Sequence, residues 1–398
     1  MADKWILFCF LLVYNIIFSQ NIQVPIFAFH GVPHGKYSTK EQFLNMKKAG
    51  INICYTVYNN DQEALEALDA AQLAGTKLVI RVPSLFSDTE KAVTLFKKHP
   101  ALYGYYVADE PVPKEFDNVL KLVKKIKSYD DKHIVYVNLF PNYVGREVIN
   151  GLSYRDYLAE FLNKVPVDFL SFDHYPIINN ILRGDWYSNL EDIRYISKKN
   201  KIPFWAFACS TIHYNYAQPT LAGIKLQQLG NLLYGAQGLQ YFAYWTLTYE
   251  YNWVKEKYGF SIVDDKGNPT PTYNIVKTVN EQIQKVAWVF AGAQSDEVYH
   301  IGDEIPSGTT KLNATPKQFR FFSTYGKNAL VSFLSNGTKK FVIVQNKSLT
   351  EDITLEYKLK SFLSKVNNDS GKIISLLTSK KYTETILPGD ILIFTYDK

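Results

Sequence analysis

Eight short apolar runs, most of them followed by a stretch with helical spacing, constrain this chain more than any other feature. The runs cover residues 25–32, 51–58, 77–82, 102–108, 133–139, 167–172, 203–209 and 238–245, and they read as strands. Between them, residues 39–49, 62–74, 89–99, 115–128, 154–165, 186–199 and 220–235 carry apolar positions at helical spacing, and an eighth helix is expected over 272–290. Several of these begin at capping residues, namely Ser38-Thr39, Asp61 and Ser87-Asp88-Thr89, and Gly50 and Gly75 end two of them. Eight strands alternating with helices over about 250 residues are the pattern of a (β/α)8 barrel. A doubly wound open sheet also alternates, but no GxGxxG follows the first strand.

The pattern changes after Ala293. Runs at 319–323, 329–334, 340–345, 353–357, 373–377 and 391–396 alternate with period two, and turn signals such as Asn336-Gly337 and Pro388-Gly389-Asp390 separate them. The expectation is an α/β fold: a (β/α)8 TIM barrel over 21–293 with an antiparallel β-sandwich over 294–398. A chain of 398 residues that is 46% hydrophobic has enough apolar material for both cores.

Residues 1–20 are a separate object. Lys4 precedes an apolar run that Asn15 interrupts, and polarity returns at Ser19-Gln20. This is the pattern of a secretory signal peptide, so the mature chain is expected to start near Gln20 and to be secreted or periplasmic, with no stable membrane insertion. Cys54 and Cys209 then remain, both in predicted buried strands, which suits packed thiols better than a disulfide framework. No CxxC or HExxH spacing signals a metal, and no cofactor motif is present. The net charge of +6 is spread over predicted helices without an Arg/Lys stripe, which argues against a nucleic-acid partner.

In a barrel of this kind, chemistry collects at the C-terminal ends of the strands. The fourth run, Gly104-Tyr-Tyr-Val-Ala-Asp-Glu-Pro111, ends in two adjacent carboxylates, and Pro111 forbids its continuation as a central strand. Glu110 is the candidate general acid, with Asp109 beside it; the alternative is that Glu110 caps the following helix. The other strand ends offer His30, Arg81, Asn138, Asp173-His174-Tyr175 and Trp245, with Glu250 in the loop after the eighth strand. Asp173 is either a second catalytic carboxylate or an ion-pair partner of Arg81. Trp245 is either a sugar platform or a core ring. His30, Arg81, Asn138, His174, Tyr175, Trp245 and Glu250 are together the candidate substrate-binding set. Five or more polar groups converging on one rim suit a polyhydroxylated ligand, because buried unpaired polar groups are costly.

Three segments carry a resemblance: residues 104–111, Phe169-Leu-Ser-Phe-Asp-His-Tyr-Pro176, and Tyr234-Gly-Ala-Gln-Gly-Leu-Gln-Tyr-Phe-Ala-Tyr-Trp245. Over about residues 22–290 the chain resembles the barrel glycoside hydrolases of clan A, in the direction of the family 42 β-galactosidases. The resemblance implies cleavage of glycosidic bonds, with Glu110 as acid/base and a carbohydrate as substrate. Two departures stand out. The family has Asn where this chain has Asp109, and its strand-seven nucleophile is missing from Pro203-Phe-Trp-Ala-Phe-Ala-Cys-Ser-Thr211. Either Asp173 or Glu250 supplies the second carboxylate, or the substrate supplies its own nucleophile. The second case is similar to substrate-assisted N-acetylhexosaminidases, in which Asp109 would orient a 2-acetamido group and Tyr175 would bond it. A barrel that has lost its nucleophile and only binds glycans is the non-enzyme alternative.

Overall fold

The computed structural model describes residues 22–256 and 258–398; the expected signal segment lies outside them. Eight parallel strands close into a barrel. They are β1 (Ile26–Phe29), β2 (Ile53–Val57), β3 (Lys77–Arg81), β4 (Leu102–Asp109), β5 (Ile134–Leu139), β6 (Leu170–Phe172), β7 (Phe204–Cys209) and β8 (Gly238–Phe242). The helices that return the chain are α1 (Lys40–Lys48), α2 (Asp61–Ala74), α3 (Thr89–Phe96), α4 (Phe116–Tyr129), α5 (Tyr154–Lys164), α6 (Asp185–Asn200), α7 (Leu221–Leu233) and α8 (Pro271–Lys285). Capping follows side-chain chemistry. The Thr39 and Asp88 side chains accept from the N–H of Gln42 and Lys91, and Asn60, not Asp61, caps α2 by accepting from Glu63. Gly75 ends α2 with φ at +69°, a backbone state that favours glycine.

Aromatic rings occupy much of the barrel interior. Phe27, Phe29, Tyr55, Tyr106, Tyr136, Phe169, Trp205 and Phe207 form one buried cluster inside the strands. Tyr55 stacks on Tyr106 with centroids 4.1 Å apart, and Phe169 stacks on Trp205 at 4.5 Å. Barrel interiors are usually filled by branched aliphatics; here wide flat rings do it, which accounts for part of the 15% aromatic content. Gly238 makes room for one of them, since a Cβ there would lie 2.4 Å from the Trp205 indole.

Beyond Phe290 the chain is all β. A six-stranded antiparallel sheet and a three-stranded one face each other across a separate apolar core that includes Val331, Val342, Leu355, Tyr357 and Phe394. The larger sheet packs on α7. The Ser332 hydroxyl donates to the Leu233 carbonyl at 2.6 Å, the Gln345 amide donates to the Leu226 carbonyl at 3.2 Å, and Lys225 pairs with Asp390. The sandwich therefore braces the barrel wall, and among the described residues no hydrogen bond or ion pair of the strand-end carboxylates reaches past Ala293.

Candidate active site

Adjacent strand residues point to opposite faces, so Asp109 and Glu110 could not both serve one cleft on a regular strand. Two local departures solve this. The pairing of β4 with β5 slips by one residue between Tyr106 and Ala108, which restores Asp109 to the register of Asn138. Glu110 then takes φ of +44°, a left-handed state uncommon for a residue with a side chain, while its N–H stays bonded to the Asn138 carbonyl at 2.8 Å. Both carboxylates thus stand at the barrel mouth. Glu110 is not the cap of α4. Glu115 stands at the N-cap position of α4 without a side-chain cap bond, and its carboxylate instead accepts from the Val112 N–H at 3.1 Å in the 3-10 turn that precedes the helix.

Asp173 joins them from the end of β6. The Asn138 amide donates to Asp173 Oδ1 at 2.7 Å and to Asp109 Oδ1 at 3.3 Å. The two acids therefore share one NH2 group, with their Oδ1 atoms at most about 6 Å apart. Three carboxyls in so small a space cannot all ionise freely. Burial, then the charges of Asp173 and Asp109, raise Glu110 to about 8. Burial and the charge of Asp109 raise Asp173 to about 7, against the pull of the Asn138 bond. Asp109 keeps an exposed edge in the open mouth, yet the wall beneath it strips enough water to raise it too; Tyr106, Asn138 and Arg81 pull it back.

Of the two alternatives for Asp173, the ion pair with Arg81 is not formed among the described residues. Arg81 lies over the rings of Phe86 and Tyr106, at 4.7 and 5.7 Å, and its charge acts on Asp109. His30 and His213 are both held to about 4 by burial, so near neutral pH they are uncharged. His30 has φ of +47° and stands edge-on to Phe29. His174 is a structural residue: it is buried, its Nδ1 is 3.1 Å from Asn189 Oδ1, and Tyr143 packs on its ring. Tyr175 is buried next to Asp173, edge-on to His213 and Tyr216.

Besides His174, Trp245 falls away from the expected substrate-binding set, and Glu250 stands apart from the carboxyl cluster. Trp245 is only 1% exposed and packs on Tyr37 with centroids 5.0 Å apart, so it is a core ring and not a platform; its backbone N–H bonds the His30 carbonyl. Glu250 is exposed on its loop, and the charges that act on Glu110 come from Asp173 and Asp109. The aromatic that β8 offers to the cleft is Phe242, which sequence reading missed. It is half-buried and lies 5.2 to 5.7 Å from the rings of His213, Tyr175 and His30. Tyr143 and Tyr216, from the loops after β5 and β7, were missed too; both feel the charge of Asp173. Only the density of aromatics in those loops could have drawn attention to them. Strand β7 ends at Cys209 without a carboxylate, as its sequence requires.

No protein-family model and no curated protein matches the sequence. Solved structures do resemble it. A glycoside hydrolase superposes with a TM-score of 0.59 at 10% identity, over 94% of this chain and 92% of that one. A family 5 glycoside hydrolase from Bacteroides vulgatus gives 0.56 at 12% identity, over 94% and 88%. A β-galactosidase from the haloarchaeon Halorubrum lacusprofundi gives 0.50 at 11% identity, over 69% of this chain and 60% of that one. At such identities the likeness shows a shared fold: a TIM barrel that, for the first two, is matched along nearly the whole chain, sandwich included.

Proposed function

We propose that this protein is an exported glycoside hydrolase that protonates the leaving oxygen of a glycosidic bond with Glu110. The observation that carries the reading is the carboxyl triad at the mouth, in which Glu110 is held protonated near neutral pH while a second carboxyl stands close by. A raised acid beside a group that ionises earlier is how one site supplies both an acid and a base. Asp173 is the second group. It either attacks the anomeric carbon, giving a covalent glycosyl intermediate that water then cleaves, or removes a proton from the attacking water; in both cases Glu110 gives its proton to the departing oxygen. The aromatic surfaces of Phe242, Tyr143 and Tyr216 suit the apolar C–H faces of sugar rings. A barrel that merely binds glycans would be favoured if Glu110 faced no carboxyl but Asp109, and Asp173 acts on it more strongly than Asp109 does. Within clan A, the likeness to family 42 rests on the three sequence motifs.

A second reading is supported by the turn at Glu110. Because it brings Asp109 to the same mouth, Asp109 can orient a 2-acetamido group that attacks in place of an enzyme carboxylate. The variants separate the two readings on a panel of aryl glycosides. Glu110→Gln should lose about 10²–10⁴-fold under either. If Asp173 acts, Asp173→Asn should lose a comparable amount, and azide should restore turnover in a retaining enzyme. If the acetamide acts, Asp109→Asn should be the severe lesion, and a thiazoline should bind far more tightly than substrate. Wild-type turnover by Glu110→Gln on an unactivated glycoside would overturn both.

A further inference from the structure

Four buried side chains form a hydrogen-bond network that starts across the barrel and ends on the carboxylates. The Tyr136 hydroxyl donates to Gln240 Oε1 at 2.5 Å, and Gln240 Nε2 donates to Ser171 Oγ at 2.9 Å. Ser171 donates to Asn138 Oδ1 at 2.9 Å, and Asn138 Nδ2 donates to Asp173 and Asp109. Tyr136, Ser171 and Gln240 are fully buried, on β5, β6 and β8 respectively. A second amide, Gln228 Nε2 from α7, donates to the backbone carbonyl of Gln240 at 3.1 Å. The Tyr136 hydroxyl also lies 2.8 Å from Ser171 Oγ, and Ser171 lies 3.4 Å from Gln240 Oε1, so these three close a neutral cluster from which Asn138 leads to the acids.

We propose that Ser171 and Gln240 are positioning residues: acting through Asn138, they aim a single NH2 group at Asp109 and Asp173 and so set the charge that this pair carries. An amide can present either its NH2 or its oxygen, and the two ends differ little in size. Turned the other way, Asn138 would place a carbonyl oxygen against two carboxylates and an NH2 group against a hydroxyl hydrogen. With Gln240 and Tyr136 both donating to it, the latter from 2.8 Å with a hydrogen shared with Gln240 Oε1, the lone pairs of Ser171 are engaged and its hydrogen is left for Asn138, which disfavours the turned amide. The Gln240 amide is fixed in turn by Tyr136. The charges facing Asp173 are those of Asp109 at the end of β4 and Glu110 in the turn after it, with Arg81 acting from β3 on Asp109. Tyr136, Tyr143, Tyr154, Tyr175 and Tyr216 also face it, but burial keeps all five neutral. The amide bond is thus the main neutral influence that favours ionised Asp173, and it is available only while the amide is held.

This inference rests on Asp173 being the second catalytic group, and the test separates the two claims. The pH dependence of kcat/KM is measured on an aryl glycoside for the wild type, Ser171→Ala, Tyr136→Phe and Asp173→Asn. Ser171→Ala frees the amide, so the acid limb should move up by about one pH unit while the plateau changes little. Tyr136→Phe, which keeps the ring and loosens Gln240, should move the limb in the same direction by less, and it serves if Ser171→Ala folds poorly. An acid limb that stays in place in both variants, or a loss that is uniform across pH, overturns the positioning role. If Asp173→Asn keeps the wild-type profile, the catalytic reading of Asp173 has failed; if Asp173→Asn is inactive and the limb of the other two does not move, only the positioning role has failed.

Discussion

Glu110→Gln should stabilise the folded protein, and by an amount that grows with pH. The carboxyl sits beside Asp173 and Asp109 with little water, and its folded-state value is raised from 4.5 to about 8. A group raised on folding contributes stability that is complete below its unfolded value and is lost as pH rises through its folded value. Wild type should therefore match Glu110→Gln near pH 4 and fall behind progressively up to about pH 8. Each tenfold change in proton affinity corresponds to about 1.4 kcal/mol, so the full rise would be worth roughly 4–5 kcal/mol. Water in the open mouth screens the charge, and Asp173 relaxes once Glu110 is neutral, so about 1–3 kcal/mol is the reasonable expectation. An unfolding entropy of about 2.1 cal/mol/K per residue turns this into roughly 1–4 °C in Tm for a chain of this length. Differential scanning calorimetry from pH 4 to pH 9 reads it directly and requires no substrate. A Tm difference that is flat across this range, or that shrinks as pH rises, would refute the electrostatic argument for Glu110.

Turnover should follow a bell-shaped pH profile centred near neutrality or slightly above, because it needs Asp173 ionised and Glu110 protonated; an optimum near pH 4 to 5 in steady-state kinetics would contradict the raised values of the pair. Trp245→Ala should cost about 3–5 kcal/mol in chemical denaturation, since the ring is fully buried; a variant that unfolds like wild type but binds sugar poorly would return Trp245 to the cleft. Phe242→Ala should raise KM by about tenfold with a smaller effect on kcat, in line with the loss of roughly 1–2 kcal/mol of stacking surface, and unchanged steady-state constants would remove it from the substrate surface. N-terminal sequencing of the natively produced protein should find its first residue near Gln20; an intact Met1 would argue against export.

Much of the architecture was legible in the chain itself. Seven barrel strands lie within their expected runs and β4 extends one residue beyond its own, to Asp109, because a parallel strand buried on both faces is apolar along its length and ends near where polar residues begin. The shift to period-two alternation after Ala293 marked the sandwich for the same reason: a sheet with one dry face reads in and out along the chain. Asp109-Glu110 and Asp173 were legible too, since carboxylates at the ends of such strands have little reason to be there structurally. What a continuous apolar strand does not reveal is which of its residues face the barrel interior and which face the helices. That is set by the stagger of eight strands around a closed sheet. Hence Trp245 went to the core, Phe242 took the place at the cleft, and Arg81 settled over Tyr106 and not against Asp173. The bulge in β4 and the left-handed turn at Glu110, which put two adjacent acids on one face, leave no mark in composition or period. Nor does the chain from Tyr136 through Gln240 and Ser171 to Asn138. Its members lie up to 104 positions apart, and barrel closure alone brings them into hydrogen-bonding distance.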